Sequence, residues 1–157
     1  MKQYTFTAEP RGDDYRLLVA YAAHLCHETQ FIVRDSIDCS ASAVAVLASL
    51  EPWLLQQTRV SEWAGTRLHG GSALLFRYRN CAETVAILGS AVGRLYDWVQ
   101  PDRPEDLALM FPDGTAWLTT IAHERDAYLT MSDDQAAAFF RECGRVAALL
   151  GPATMPP

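Results

Sequence analysis

His123-Glu124-Arg125-Asp126 is the densest set of chemistry-bearing side chains in this sequence. Histidine changes charge near neutral pH, and a neighbouring carboxylate can orient one ring nitrogen. His123 with Glu124 is therefore equipped for acid–base work. Adjacent residues on a strand point to opposite sides, so the two share a face only if a turn rotates them. No serine or cysteine stands beside them to serve as a nucleophile. The plainer reading is a connection in which His123 and Asp126 bond to backbone and Arg125 meets a carboxylate.

Two further sets have usable spacing. In His24-Leu25-Cys26-His27-Glu28, helical offsets bring His24 near both His27 and Glu28, close enough for a metal to bridge them. The order is not H-E-x-x-H, a further ligand is not evident, and histidine at a helix end also suits the negative pole there. Arg77 and Arg79 alternate onto one strand face, with Arg67 across a hairpin. Together they could clamp a phosphate or carboxylate, or they could simply line an exposed sheet face or pair with the chain's own acids. There is no phosphate loop, dinucleotide fingerprint, G-x-S-x-G elbow or cysteine-rich metal motif. No cofactor is expected.

Charge sets the class of partner. The 157 residues carry a net charge of -6, with half the residues hydrophobic. This is a globular chain without the basic density that nucleic acid or an anionic membrane surface would need. Glu105, Asp106, Asp113, Glu124, Asp126, Asp133 and Asp134 stand against Arg103 and Arg125, whereas Arg59, Arg67, Arg77 and Arg79 face only Glu62. An acidic segment of this kind can attract a basic protein or serve solubility alone. Cys26, Cys39, Cys81 and Cys143 lack metal or redox spacing and read as thiols of a reducing compartment. Met1–Thr7 has no apolar signal core and no apolar run approaches membrane-spanning length. The cytoplasm is the expected setting. One lysine beside twelve arginines suggests a GC-rich bacterial genome.

The elements that must position these groups centre on Asp102–Met131. Phe111-Pro112-Asp113-Gly114-Thr115 is a hairpin turn: Pro112 presets φ and Gly114 takes the left-handed conformation. Pairing Phe111 with Thr115 puts Leu109 opposite Trp117 and gathers Leu107, Leu109, Phe111, Trp117 and Ile121 on one side. A second run, Ala127–Met131, completes a three-stranded meander, with 123–126 as its second connection. Upstream, Tyr4–Ala8 and Thr29–Arg34 read as strands, and Asp13 caps a helix reaching about His27. Helices follow at Ala41–Leu50 and Pro52–Gln57. Ser61–Leu68 and Ser72–Arg79 form a hairpin around His69-Gly70-Gly71. Asn80 with Glu83 suggests a capping box opening a helix that ends at Pro101. Ser132 with Gln135 is a capping box for a helix whose stripe is Ala136, Phe139, Phe140, Cys143, Val146, Ala147 and Leu150.

The expected fold is α+β: a mostly antiparallel sheet, hairpin plus meander, packed by three to four helices as one domain over 1–151 with a flexible tail at 152–157. The expected function is a non-enzymatic cytoplasmic binding protein, in the manner of an inhibitor or immunity-type protein. Its basic partner would meet Glu105, Asp106, Asp113, Glu124, Arg125 and Asp126. The alternative is a small enzyme or metabolite-binding protein using His123 and Glu124, with Arg77 and Arg79 holding an anion. A third is a structural homo-oligomer with an exposed apolar sheet surface.

Overall fold

The computed structural model of the chain describes residues 1–155. The architecture is α+β. Among the described residues the strands are β1 (Lys2–Thr5), β2 (Glu28–Arg34), β3 (Leu54–Val60), β4 (Glu62–Trp63), β5 (Thr66–Arg67), β6 (Ala73–Arg79), β7 (Glu105–Met110), β8 (Ala116–Ile121) and β9 (Asp126–Met131). The helices are α1 (Asp13–Ala22), α2 (Ala41–Leu50), α3 (Ala82–Ala91), α4 (Asp133–Glu142) and α5 (Gly144–Ala147). Seven strands form one antiparallel sheet in the order β1-β9-β8-β7-β2-β6-β3, and β4 pairs with β5 separately.

The meander is β7-β8-β9, and its first turn forms as expected. Phe111 N–H donates to the Thr115 carbonyl at 2.8 Å, and Gly114 has φ +82°. A bulge beyond that turn changes the register: Leu109 faces Leu118, and Met110 faces Ala116. The expected opposition of Leu109 and Trp117 is therefore wrong by one residue. Ile121 moves to the opposite sheet face, where it lies against Gly65. Trp117 stays fully buried because the bulge swings it toward Tyr21 and Phe139, at 6.0 and 5.9 Å between ring centroids.

The helices share that apolar face. Ser132 accepts from the Gln135 N–H while Gln135 Oε1 accepts from the Ser132 N–H, so the capping box opens α4 as read. Phe139 is buried, but Phe140 is 43% exposed and only its edge meets Tyr4. Tyr15 of α1 links two further elements: its hydroxyl donates to the Leu88 carbonyl and accepts from Trp98 Nε1.

Several boundaries differ from the sequence reading. α1 ends at Ala22 rather than near His27, tightening through i→i−3 bonds into a turn at Ala23–Leu25. Asn80 does not cap the next helix; its amide donates to the carbonyls of Ala22 and Cys26, fastening that turn. Cys81 is the cap of α3, with Thr84 as its partner. The helix expected over Pro52–Gln57 is one 3-10 turn, Glu51–Trp53, followed by β3. β6 supplies backbone partners along that whole segment, and this outweighs the weak local preference of Leu-Leu-Gln-Gln. The expected hairpin strand Ser61–Leu68 is instead the β4–β5 excursion between β3 and β6. Backbone bonds hold the chain end as far as Thr154: Gly151 N–H bonds to the Thr5 carbonyl, and Thr154 pairs with Gln3 in both directions at 2.8 Å. Pro156 and Pro157 lie outside the described residues.

The β4–β5 hairpin folds over the sheet face away from the helices. Trp63 packs there with Ile32 and Ala73. Gly65 makes the closest approach: φ is +80°, and a Cβ would lie 2.8 Å from Thr119 Cγ2. Gly65→Ala is expected to destabilise by about 2 kcal/mol or more in urea unfolding, through backbone strain plus overpacking. Gly71→Ala, at φ +78° with nothing within 4 Å of an added Cβ, carries the backbone cost alone and should lose clearly less. Equal losses would mean that the hairpin does not sit tightly on β8.

Candidate functional site

Three strand ends meet below the β8–β9 connection. β2 ends at Arg34, β7 begins at Glu105, and β8 runs into a 3-10 turn at Ala122–Glu124. Ile32 pairs with Glu105 across a bulge that follows Gln30. Gln100 fixes the end of β2: its Oε1 accepts from the Arg34 N–H at 2.7 Å, and its Nε2 donates to the Ile37 carbonyl at 2.7 Å. Asp106 and Arg125 both adopt left-handed backbone, φ 56° and 57°. Arg125 closes the 3-10 turn, which rotates His123 and Glu124 toward one another; His123 Nε2 lies 3.7 Å from Glu124 Oε1. A turn was the condition for their sharing a face, and it is met.

Beneath this turn lies a polar cluster. Glu105 and Asp106 are 1% and 2% exposed. Arg34 Nη2 forms an ion pair with Glu105 Oε1 at 2.9 Å and stands 3.2 Å from His123 Nδ1, within hydrogen-bond distance. His123 Nδ1 also stands 3.3 Å from Glu105 Oε1. One ring nitrogen therefore faces a donor and an acceptor. Unprotonated, Nδ1 accepts from Arg34; protonated, it donates to Glu105. Asp106 Oδ1 accepts from the Ala122 N–H and Oδ2 from Trp63 Nε1, both at 2.9 Å. The Trp63 ring sits 5.5 Å from the Arg34 guanidinium carbon, in cation–π range. Glu105 Oε2 and Arg34 Nε are buried without a hydrogen-bond partner.

The electrostatics follow from burial. Desolvation, then the neighbouring Asp106 charge, pushes the Glu105 carboxyl above the ordinary range, against the pull of Arg34 and His123. Desolvation raises Asp106 too, against its bonds from Ala122 and Trp63. With both acids ionised and His123 neutral, two negative charges face one guanidinium.

Glu105, Asp106 and His123 each offer a ligand atom within 4.8 Å of the others, the one such trio among the described residues. Arg34 already fills the cation position between Glu105 and His123, and both Asp106 oxygens are engaged. This cluster is an internal ion-pair network rather than an open metal site.

The other sequence candidates fare differently. His24, His27 and Glu28 do not converge into a metal-capable trio. The end of α1 at Ala22 removes the helical spacing that would have gathered them, and Glu28 instead takes Arg77 bidentately, at 2.5 and 2.8 Å. Arg77 also donates to Gln56 at 2.7 Å, so its donors are engaged within the chain rather than turned to an anion. Arg79 is exposed on the same strand, while Arg67 pairs with Glu62. Glu105 and Asp106 are not surface carboxylates, because the 3-10 turn and Trp63 cover them. Asp113 is exposed but sits at the far end of β8 from Glu124. Exposed Glu124 and half-buried Asp126 share the near end, and Arg125 reaches Glu9 at 3.6 Å and the Tyr96 face at 5.8 Å. A cavity of about 770 Å³ lies elsewhere, between Ser42, Ala91–Gly93 and Val99–Arg103.

Arg34, Trp63 and Gln100 belong to this cluster, and sequence reasoning missed all three. Arg34 carried one signal: a charge closing the apolar run Phe31-Ile32-Val33. Trp63 and Gln100 carried none, since each arrives from a part of the chain distant in sequence. No helix of the described residues is long and apolar enough to cross a membrane. Comparison with protein-family models, with curated proteins and with solved structures finds no match to this chain, so the site is read from its geometry alone.

Proposed function

We propose that this chain is a non-enzymatic binding protein whose β8–β9 end engages a basic partner protein, in the manner of an inhibitor or immunity-type protein. The supporting observation is the charge imbalance of the buried cluster. Glu105 and Asp106 lie under the exposed turn with a single guanidinium, that of Arg34, paired to Glu105, and Glu124 and Asp126 stand at the rim. A low-dielectric floor with surplus negative charge projects its field outward and steers a cationic surface toward the turn. Free thiols at all four cysteines suit the cytoplasmic setting of this reading.

The alternative is a small enzyme or metabolite-binding protein. It has in its favour a half-exposed histidine oriented by a buried carboxylate. It loses the arginines assigned to it, since the guanidinium beside His123 belongs to Arg34, which is bonded to Glu105.

The test is native co-purification with mass spectrometry, comparing the wild-type chain with the Glu124→Lys/Asp126→Lys variant at low and high salt. A specific partner recovered by the wild type at low salt, reduced by salt and lost with the charge reversal, supports the proposal. The same partner recovered equally by both chains overturns it.

A further inference from the structure

The two edges of the sheet are treated unequally. The β1 edge is closed by the chain itself through the paired Gln3 and Thr154. The β3 edge is open. β3 pairs with β6 on one side. Apart from the Leu54 N–H, which closes the preceding 3-10 turn onto the Glu51 carbonyl, no loop or turn backbone hydrogen bond among the described residues reaches Leu54–Val60. Six of its seven residues are exposed, and Val60 is half-buried. Native edges usually carry lysine, proline, a central bulge or a covering loop. β3 has no lysine or proline, and its bulge lies at one end, between Leu54 and Gln56.

The helix above this edge is equally unguarded. Ala41–Leu50 contains no charged residue, and only Ala43 and Leu50 are buried. Val44 is 54% exposed and Leu55 is 55% exposed. Val44, Leu47 and Ala48 line a shallow groove with Leu54, Phe76 and Tyr78. A free strand edge, exposed leucine and an uncharged helix thus form one continuous strip.

We infer that β3 pairs antiparallel with β3 of a second copy of this chain, joining two sheets edge to edge with α2 packed beside its own copy. The sequence of the edge selects this occupant. A two-fold axis through Gln57 pairs Gln57 with itself and Gln56 with Thr58, and brings the bulged Leu54–Leu55 end of each strand opposite Arg59 and Val60 of the other. Arg59 is the one charge in the strand, and this register sets it opposite leucine. The two Arg59 residues stand four positions apart, about 13 Å, beyond a Debye length at ordinary salt. Arg59 is moreover already paired with Asp35 and bonded to Ser72 Oγ of its own chain, so the edge presents no unpaired charge to a second copy. The pairing is isologous, so it closes at two copies. It lies four strands from β8, leaving the acidic ends of both copies accessible.

The experiment is sedimentation velocity over a concentration series on wild type, Gln57→Lys and Gln57→Glu, with circular dichroism to establish that each variant is folded. The wild type should show a concentration-dependent dimer. Either variant sets like charges face to face at the axis and should weaken self-association roughly fivefold or more. Mixing the two variants should restore dimer, because the introduced ammonium of one copy then faces the introduced carboxylate of the other. A wild type that stays monomeric to its solubility limit overturns the inference. So does a dimer that both variants retain at full strength, or folded variants whose mixture remains monomeric.

Discussion

Phe139→Ala is expected to destabilise the chain by about 3–5 kcal/mol, the range for truncating a buried aromatic where the surroundings close up only partly. Phe139 is fully buried against Tyr21 and Trp117, at ring centroid distances of 5.1 and 5.9 Å. It is the side chain through which α4 reaches the bulged β8, and α1 packs on the same ring. Phe140→Ala, next along the helix, should cost well under half as much, because that ring is 43% exposed and meets Tyr4 by its edge alone. Denaturant unfolding of the two variants checks the contrast. Similar losses would mean that α4 does not hold the sheet through a single face.

This contrast marks where periodicity in a sequence stops being informative. The stripe Ala136, Phe139, Phe140, Cys143, Val146 puts both phenylalanines on the apolar side of one helix. The helix breaks at Cys143, where φ is -120° and ψ is 40°, and α5 sets off anew. Phe139 then points into the core and Phe140 toward its rim. The capping box at Ser132 and the turn at Pro112-Asp113-Gly114 were legible because their chemistry is local. Long-range pairing was not legible. β3 is a strand because β6 lies beside it, and β2 is central because β6 and β7 take its two edges. Neither fact is written in the segments themselves.

The site shows the same division. His123-Glu124-Arg125-Asp126 was visible as a turn, and the rotation that brings His123 to Glu124 comes from Arg125 in left-handed backbone. The charged pair Glu105-Asp106 was misread as surface, because acids opening a strand are most often wet. Here Trp63 and the Ala122 N–H meet Asp106 as donors, and the Arg34 guanidinium pairs with Glu105, each from another part of the chain. Only the assembled fold brings those donors together.

Arg34→Met should cost about 3–5 kcal/mol at neutral pH, because it leaves the Glu105 charge buried without its cation. The loss should depend on pH in a defined sense. The folded-state pKa values of Glu105 and Asp106 are raised by burial above their ordinary values. Each carboxyl therefore favours the fold most when protonated, below its unfolded value, and that contribution is lost as pH rises through the folded value. Arg34 opposes the rise at both groups. Without it, both bind their protons more tightly in the fold, and the stability lost on ionisation grows. The deficit of the variant should thus be smallest below about pH 4, where ordinary carboxyls are protonated, and widen toward neutrality. Glu28, held down by Arg77, has the opposite dependence, but it is common to both proteins and cancels in the difference. Urea unfolding at a series of pH values reads this out. Adding Glu105→Gln to Arg34→Met should recover much of the neutral-pH loss by removing the orphaned charge. A deficit that is flat with pH and insensitive to Glu105→Gln would assign the role of Arg34 to the packing of its stem near Trp63. It would also remove the charge imbalance on which the binding proposal rests.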